Sequence, residues 1–386
     1  MASNVSNSKS KRPSNTAFKQ QRLRAWQPLL SPKTVLPTFF IIGLIFAPIG
    51  GVLFWLSSQL FEYTIDYTNC AAAGSSFTAI SSDLYSQHYS EKITNLSAPQ
   101  QKYDSDSNVC TLQFTIPINI ASPIFFYYRL TKFYQNHRKY VNSFDAAQLR
   151  GKARTAQELA GGSCEPLATR TINGVTKPIY PCGLIANSVF NDTISNMTLL
   201  NPTGGSNTPV QFNFSSTGIP WDSDSSRFLK SVYKNDEAYP PLNWDKRYPL
   251  GYTDENPIPD LSEDYNLQVW MRTAPLSTFR KLYAINEKET LISGIYQVNI
   301  TMDYDVTKFA GTKAIVLATT NSIGGRNPVL GIVYITVGIL CVILGIVFTI
   351  RHLYRPRRLG DHTYLSWNQQ VQSGLSENTR NPNVNY

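Results

Sequence analysis

Four histidines are spread over 386 residues, and none stands in an HExxH pattern. The chain also has no CxxC pair, no GxSxG elbow and no Gly-rich phosphate loop ending in Gly-Lys-Ser/Thr. These absences remove the sequence signatures of zincin hydrolysis, dithiol redox chemistry, serine-elbow acyl transfer and P-loop nucleotide binding. Two DxD spacings remain, Asp104-Ser-Asp106 and Asp222-Ser-Asp224. A pair of carboxylates at that spacing can share a cation, but both stand in serine-rich stretches that read as solvated turns. His137, in the stretch FYQNHRKYVNSFD (Phe133–Asp145), has no cysteine, serine elbow or second histidine near it in sequence. With Arg138 and Lys139 beside it, it reads as a hydrogen-bonded structural residue. No catalytic residue, metal or cofactor is expected.

Charge of either sign is missing from two long runs, VLPTFFIIGLIFAPIGGVLFWL (Val35–Leu56) and VLGIVYITVGILCVILGIVFTI (Val329–Ile350). Each has 22 residues, enough to cross about 30 Å of hydrocarbon as a helix. A cleavable leader is not expected, because the first run follows a largely polar tail of 34 residues and ends at Trp55 and Leu56 without small residues. Acidic residues are absent from residues 1–34, which carry Lys9, Lys11, Arg12, Lys19, Arg22, Arg24 and Lys33. The tail after the second run has a net charge of +3, and the region between the runs sums to −1. Positive flanks stay cytosolic, so both tails are expected inside and residues 57–328 outside or in a lumen. The net charge of +9 therefore describes topology. It does not argue for nucleic acid, which that compartment excludes, although the tails can attract anionic lipid.

Cysteine usage agrees. Cys70, Cys110, Cys164 and Cys182 lie between the runs, and Cys341 lies inside the second. Four cysteines in an oxidising compartment predict two disulfides, with three pairings open at this point. Five N-glycosylation sequons share the region, at Asn95, Asn191, Asn196, Asn213 and Asn299. Asn4-Val-Ser is expected to stay bare on the cytosolic side.

The region between the runs alternates as strands do. In IYQVNITMDY (Ile295–Tyr304), Tyr296, Val298, Ile300, Met302 and Tyr304 form one face, and Asn299 lies on the wet one. Cys110–Ile116 alternates in the same way. Ile124–Phe133, Leu267–Arg272 and Ala314–Thr319 are further expected strands. Ser143–Leu149 reads as a short helix capped by Ser143, and Tyr239–Asp260 as a long ordered loop. Residues 1–16 and 368–386 read as disordered. The expected fold is two transmembrane helices around a large β-rich domain, an antiparallel β-sandwich with insertions. The expected divisions are a tail (1–34), a span (35–56), the disulfide-bonded, N-glycosylated β region (57–328), a span (329–350) and a tail (351–386).

Within the second run, Gly331, Gly338 and Gly345 recur every seven residues and form one stripe, with Cys341 on the same face. Gly43, Ala47 and Gly50 or Gly51 make another in the first run, near Pro48. Small residues let helices approach closely in lipid. The stripes serve either packing between the two spans or docking of a partner's helices. No Asp, Glu, Lys, Arg or His sits in either run, so neither looks like an ion path on its own.

Specific stretches then carry a resemblance over almost the whole chain. They are KRPSNTAFKQQRLRAWQPLLSP (Lys11–Pro32), YTIDYTNC (Tyr63–Cys70), FYQNHRKYVNSFD, IYPCGLIANSVFNDT (Ile179–Thr193), YPLGYTDEN (Tyr248–Asn256), LQVWMRTA (Leu267–Ala274), TTNSIGGRN (Thr319–Asn327) and LGDHTYL (Leu359–Leu365). In this order, around two spans, the chain resembles the family of cell division control protein 50, also called the ligand-effect modulators. The resemblance implies a non-catalytic accessory β-subunit of a type IV P-type ATPase, a pump that moves phospholipid to the cytosolic leaflet. It implies a one-to-one heterodimer, contact with membrane lipids, and a role in endoplasmic reticulum exit, stability and catalytic cycling of the pump. The expected locations are the endoplasmic reticulum, Golgi or endosome, or plasma membrane. It also implies the disulfides Cys70–Cys110 and Cys164–Cys182, and a glycan at Asn191. Arg138, Lys139, Gly331, Gly338 and Gly345 are the candidate docking residues, and Arg138 is expected to meet carboxylates near Asp254 or on the pump. The alternative is a two-span ligand-gated channel with a disulfide-bonded ectodomain.

Overall fold

In the computed structural model, residues 14–24, 31–91, 93, 97–202 and 208–356 are described. Asn95, the LGDHTYL stretch and nearly all of the two segments expected to be disordered lie outside them. The chain divides into two compact units, one holding both apolar helices and the other running from Trp55 to Pro328.

The first unit contains two long helices, Pro32–Ser58 up to Phe54 and Pro328–Tyr354 from Val329. Each opens on a proline, whose missing N–H costs nothing at the first helical position. Each has 27 residues, about 40 Å of helix and longer than the hydrocarbon requires. Both are long and apolar enough to cross a membrane.

The second unit is β-rich. Its strands in chain order are β1 (Glu62–Asp66), β2 (Thr78–Ala79), β3 (Tyr85–His88), β4 (Gln100–Asp104), β5 (Val109–Ile116), β6 (Ile124–Leu130), β7 (Thr169–Ile172), β8 (Val175–Pro178), β9 (Thr193–Ile194), β10 (Met197–Leu199), β11 (Val210–Phe212), β12 (Phe279–Asn286), β13 (Gly294–Thr301) and β14 (Lys313–Ala318). One sheet runs β12-β6-β14-β1-β3. The other runs β11-β10-β13-β5-β4-β2, with β9 also on β13. All pairings are antiparallel within both. Alternate residues of the two sheets meet in one core. Tyr63 and Ile65 of β1, Phe126 of β6 and Leu317 of β14 pack with Leu112 and Phe114 of β5 and Tyr296 and Val298 of β13. The Tyr63 ring stands edge-on to Phe114 at 5.3 Å. The Cys70–Cys110 disulfide joins the turn after β1 to β5.

Residues between β6 and β12, apart from β9, β10 and β11 of the second sheet, form the insertions, with short helices α1 (Arg138–Val141), α2 (Ala146–Leu149), α3 (Ala156–Leu159), α4 (Leu184–Asn187), α5 (Asp222–Ser225) and α6 (Tyr265–Met271). They pack around two aromatic clusters, one on Tyr180, Trp244, Tyr248 and Tyr252 and one on Trp270, Phe279 and Tyr128. Cys164–Cys182 closes an 18-residue separation here, and Cys70–Cys110 a separation of 40. Loop closure of those sizes stabilises by about 3 and about 4 kcal/mol on the entropic account.

Two expectations about local structure fail. Leu267–Arg272 is not a strand; it forms α6, opened by Asp264, whose side chain accepts from the Leu267 N–H at 3.0 Å. Leu267 and Trp270, three apart, both point into the insertion core. Ser143 does not cap the helix that follows it. Asp145 caps α2 instead, accepting from the Gln148 N–H at 2.7 Å. Ser143 Oγ accepts from the Leu184 N–H at 2.9 Å, capping α4 from a distant segment. The residue at the cap of α4, Gly183, has no side chain to do so, and its φ of 99° needs glycine. A Cβ there would also run into the Ser143 carbonyl.

Candidate partner-docking surfaces

The stretch IYPCGLIANSVFNDT is the hub of the insertions. The Ser143 hydroxyl holds one end of α4. At the other end the carbonyls of Ile185 and Ala186 accept from the indoles of Trp270 (2.8 Å) and Trp244 (3.0 Å). The chain then carries Phe190 onto Tyr128 of β6, the rings stacked at 3.9 Å, and delivers Asp192 to the core. Asp192 and Lys313 form an ion pair at 2.7 Å, their side chains 0% and 3% exposed. The Tyr67 hydroxyl donates to Asp192 at 2.8 Å, the Tyr304 N–H donates to it at 2.6 Å, and Lys313 Nζ also donates to the Tyr304 carbonyl. A buried pair holds only when its remaining hydrogen-bonding capacity is met, and here several further contacts meet it. Burial and the neighbouring Asp192 carboxylate raise the Tyr67 hydroxyl well above the usual tyrosine range.

A second buried cation, Lys281 of β12, closes the carbonyl end of α6. Its ammonium donates to the carbonyls of Val269 at 3.0 Å, Trp270 at 3.3 Å and Arg272. Burial, with the Arg272 cation beside it, pushes the lysine down to about 7. Arg272 itself lies over the Trp221 ring at 3.6 Å and pairs with Asp224 at 2.9 Å.

FYQNHRKYVNSFD is a brace with an exposed crest. Phe133 packs edge-on to Tyr140, Trp270, Phe279 and Phe309. The buried Gln135 accepts from the Ala274 N–H at 2.8 Å, and Asn136 donates to the Pro275 carbonyl at 2.9 Å. The segment thereby ties the end of β6 to the approach to β12. His137 is the backbone cap of α1 and makes no side-chain cap bond. Arg138 and Lys139 are exposed and make no ion pair among the described residues. The expected pairing of Arg138 with Asp254 inside the chain is therefore absent; Asp254 accepts from Asn235 at 3.0 Å.

The glycine stripe is occupied within the chain. A Cβ on Gly331 would lie 2.7 Å from the Phe54 backbone nitrogen, one on Gly338 2.9 Å from that of Ala47, and one on Gly345 3.1 Å from the Phe40 ring. Gly43 and Gly50 meet the other helix equally closely. All three stripe glycines are buried. Gly331, Gly338 and Gly345 were expected to dock a partner; in the structure the close approach they permit is taken by the helix of the same chain. What the unit offers a partner is its outward surface, where Leu44, Val52, Leu340 and Val347 are exposed.

Of the sequon asparagines, Asn196, Asn213 and Asn299 are exposed and Asn191 is half-buried. Asn196 Nδ2 donates to Asn213 Oδ1 at 3.0 Å. Asn191 lines a cleft of about 370 Å³ with Tyr304, Phe309, Lys246 and Asp303. The two DxD spacings fold locally. Asp104 accepts from Ser107 and the Asp106 N–H in the β4–β5 turn, and Asp224 is held by Arg272 and Arg227. Sequence reasoning missed the Asp192–Lys313 pair and the Lys281 cap. The signal available was a lysine opening the otherwise apolar strand KAIVLA and one at a buried-face position of FRKLYAIN.

A family model described as the LEM3 (ligand-effect modulator 3) family / CDC50 family matches residues 53–358. The phospholipid-transporting ATPase accessory subunit CDC50 of Chaetomium thermophilum is 38% identical over 378 residues, covering 94% of this chain and 93% of its own. The phospholipid-transporting ATPase accessory subunit CRF1 of Saccharomyces cerevisiae is 42% identical over 365 residues, covering 93% of this chain and 90% of its own. Cell cycle control protein 50A of Mus musculus is 40% identical over 366 residues, covering 90% and 91%.

Proposed function

This chain belongs to the LEM3/CDC50 family, and from that premise we propose that it is the non-catalytic accessory subunit of a phospholipid-transporting ATPase. The observation that carries the reading is near-full-length similarity to proteins named as such subunits. The same matches support this reading and not a two-span channel. The partner is a type IV P-type ATPase in a one-to-one complex. The chain is an integral membrane protein with both tails cytosolic, and residues 57–328 face the lumen or exterior. The +7 charge of residues 1–34 and the +3 of the tail after Ile350 support that sidedness. So do two disulfides in the β unit. In the complex the subunit supports the pump's exit from the endoplasmic reticulum, its stability and its catalytic cycle. The exposed crest at Arg138 and Lys139 is a contact for acidic residues of the pump's outer loops.

The test is a mild-detergent pull-down of the tagged chain followed by mass spectrometry. One large ATPase in equimolar amount is expected. A homo-oligomer of this chain with no ATPase would contradict the reading. Arg138→Glu together with Lys139→Glu is expected to lower recovery of the pump several-fold while both disulfides still form.

A further inference from the structure

The two apolar helices end, at Ser31–Leu36 and Phe348–Arg355, around a cleft of about 370 Å³. Its lining is divided. Val35, Leu36 and Phe348 form an apolar floor, while Arg351, His352 and Arg355 stand at the rim. Arg351 and Arg355 are exposed, and neither they nor His352 make an ion pair among the described residues. Nor does a carboxylate lie anywhere in the described part of this unit: residues 14–24, 31–54 and 329–356 contain no Asp or Glu. Cations in the last turn of a helix offset its carbonyl end, which accounts for Arg351 and His352 on their own helix. It does not account for a second helix closing the other wall over an apolar floor.

We propose that this cleft holds the head group of an anionic phospholipid of the cytosolic leaflet, its phosphate at Arg351 and Arg355 and its glycerol and upper acyl chain on Val35, Leu36 and Phe348. Charge complementarity selects the head group, because the cleft presents cations that no carboxylate meets among the described residues. The floor selects a lipid over a free phosphate, because an inorganic ion leaves that apolar surface wet. Phe348 is itself 44% exposed and runs on into the helix surface, so an acyl chain can leave the cleft along it. Guanidinium groups suit the role, since they form paired hydrogen bonds to phosphate oxygens. The choice of leaflet rests on the proposed sidedness. The consequence is a subunit that senses lipid on the side to which its partner delivers it.

The full chain, purified in mild detergent with its ATPase, is incubated with dioleoyl phosphatidylserine, dioleoyl phosphatidylcholine or inorganic phosphate. Native mass spectrometry then counts retained lipid. We expect phosphatidylserine to be retained at least tenfold over phosphatidylcholine and to resist displacement by phosphate. Arg351→Gln with Arg355→Gln is expected to remove that preference, and Arg351→Lys with Arg355→Lys to keep most of it. Equal retention of the two lipids, or displacement by phosphate, overturns the proposal on the wild-type chain alone, whatever becomes of the variants. Lost selectivity with the ATPase still bound sinks the cleft only. Selectivity retained by a chain that brings down no ATPase sinks the subunit reading only.

Discussion

Lys313 and Asp192 lie 121 residues apart and meet in the core at 2.7 Å. Removing one member of such a pair strands the other charge away from water. Lys313→Met is expected to destabilise the β unit by about 3–5 kcal/mol, read as a lowered melting temperature of the purified chain. A loss below about 1 kcal/mol would show that the pair is incidental. Lys281 is a different case. Burial places its folded pKa at about 7, below the ordinary lysine value of 10.5. Between those values the unfolded chain holds a proton that the folded chain has shed, so stability from this group rises as pH increases from 7 towards 10. Tyr140 and Tyr296 are pushed up to about 12 by burial, and the sign reverses. Above the ordinary tyrosine value near 10 the unfolded chain loses protons that the folded chain keeps, and stability falls. Melting curves of wild type and Lys281→Met from pH 6 to 11 test both signs. The gap between the two curves must change across pH 7–10, and both must fall above it. A constant gap would remove Lys281 from the account.

At the scale of elements, the two long helices depend on small residues. Gly338→Leu places bulk where Ala47 lies 2.9 Å from a Cβ position, so the helices must part. Phe46 and Tyr334 meet across the seam, their rings tilted at 36° with centroids 5.1 Å apart. Cysteines at those two positions, with Cys341 changed to serine, are expected to cross-link in membranes under mild oxidant. Gly338→Leu should lower the yield several-fold, and an unchanged yield would contradict the packing. The spans and the central strands were legible beforehand because their patterns are long: 22 uncharged residues in each span, and alternation over Gly294–Thr301 and Val109–Ile116. The heptad spacing of glycines showed a close helix contact but not whose helix fills it, since spacing carries no information about the partner. α6 was misread because LQVWMR is a short, mostly apolar run of a kind that strands and helices share, and the deciding residue, Asp264, lies outside it. The Ser143 cap was misplaced because its acceptor role serves α4, some 40 residues on in sequence (41 for the bond to Leu184). The exposed crest at Arg138 and Lys139 was legible as a charge pair, while its lack of an ion-pair partner among the described residues was not.

The whole molecule has the form of a component. Within its β unit a few polar groups brace the interior: Asp192 and Lys313 across the core, Lys281 at the end of α6, Ser143 at the start of α4. Its membrane unit fills its own seam and leaves an outward apolar surface. The most direct measurement is phospholipid transport in proteoliposomes containing the co-purified ATPase with this chain, the ATPase alone, or this chain alone. The account predicts ATP-driven movement of labelled phospholipid to the ATP-accessible leaflet from the pair, little from the ATPase alone, and none from this chain alone. Full transport by the unaccompanied ATPase, or turnover by this chain on its own, would contradict it.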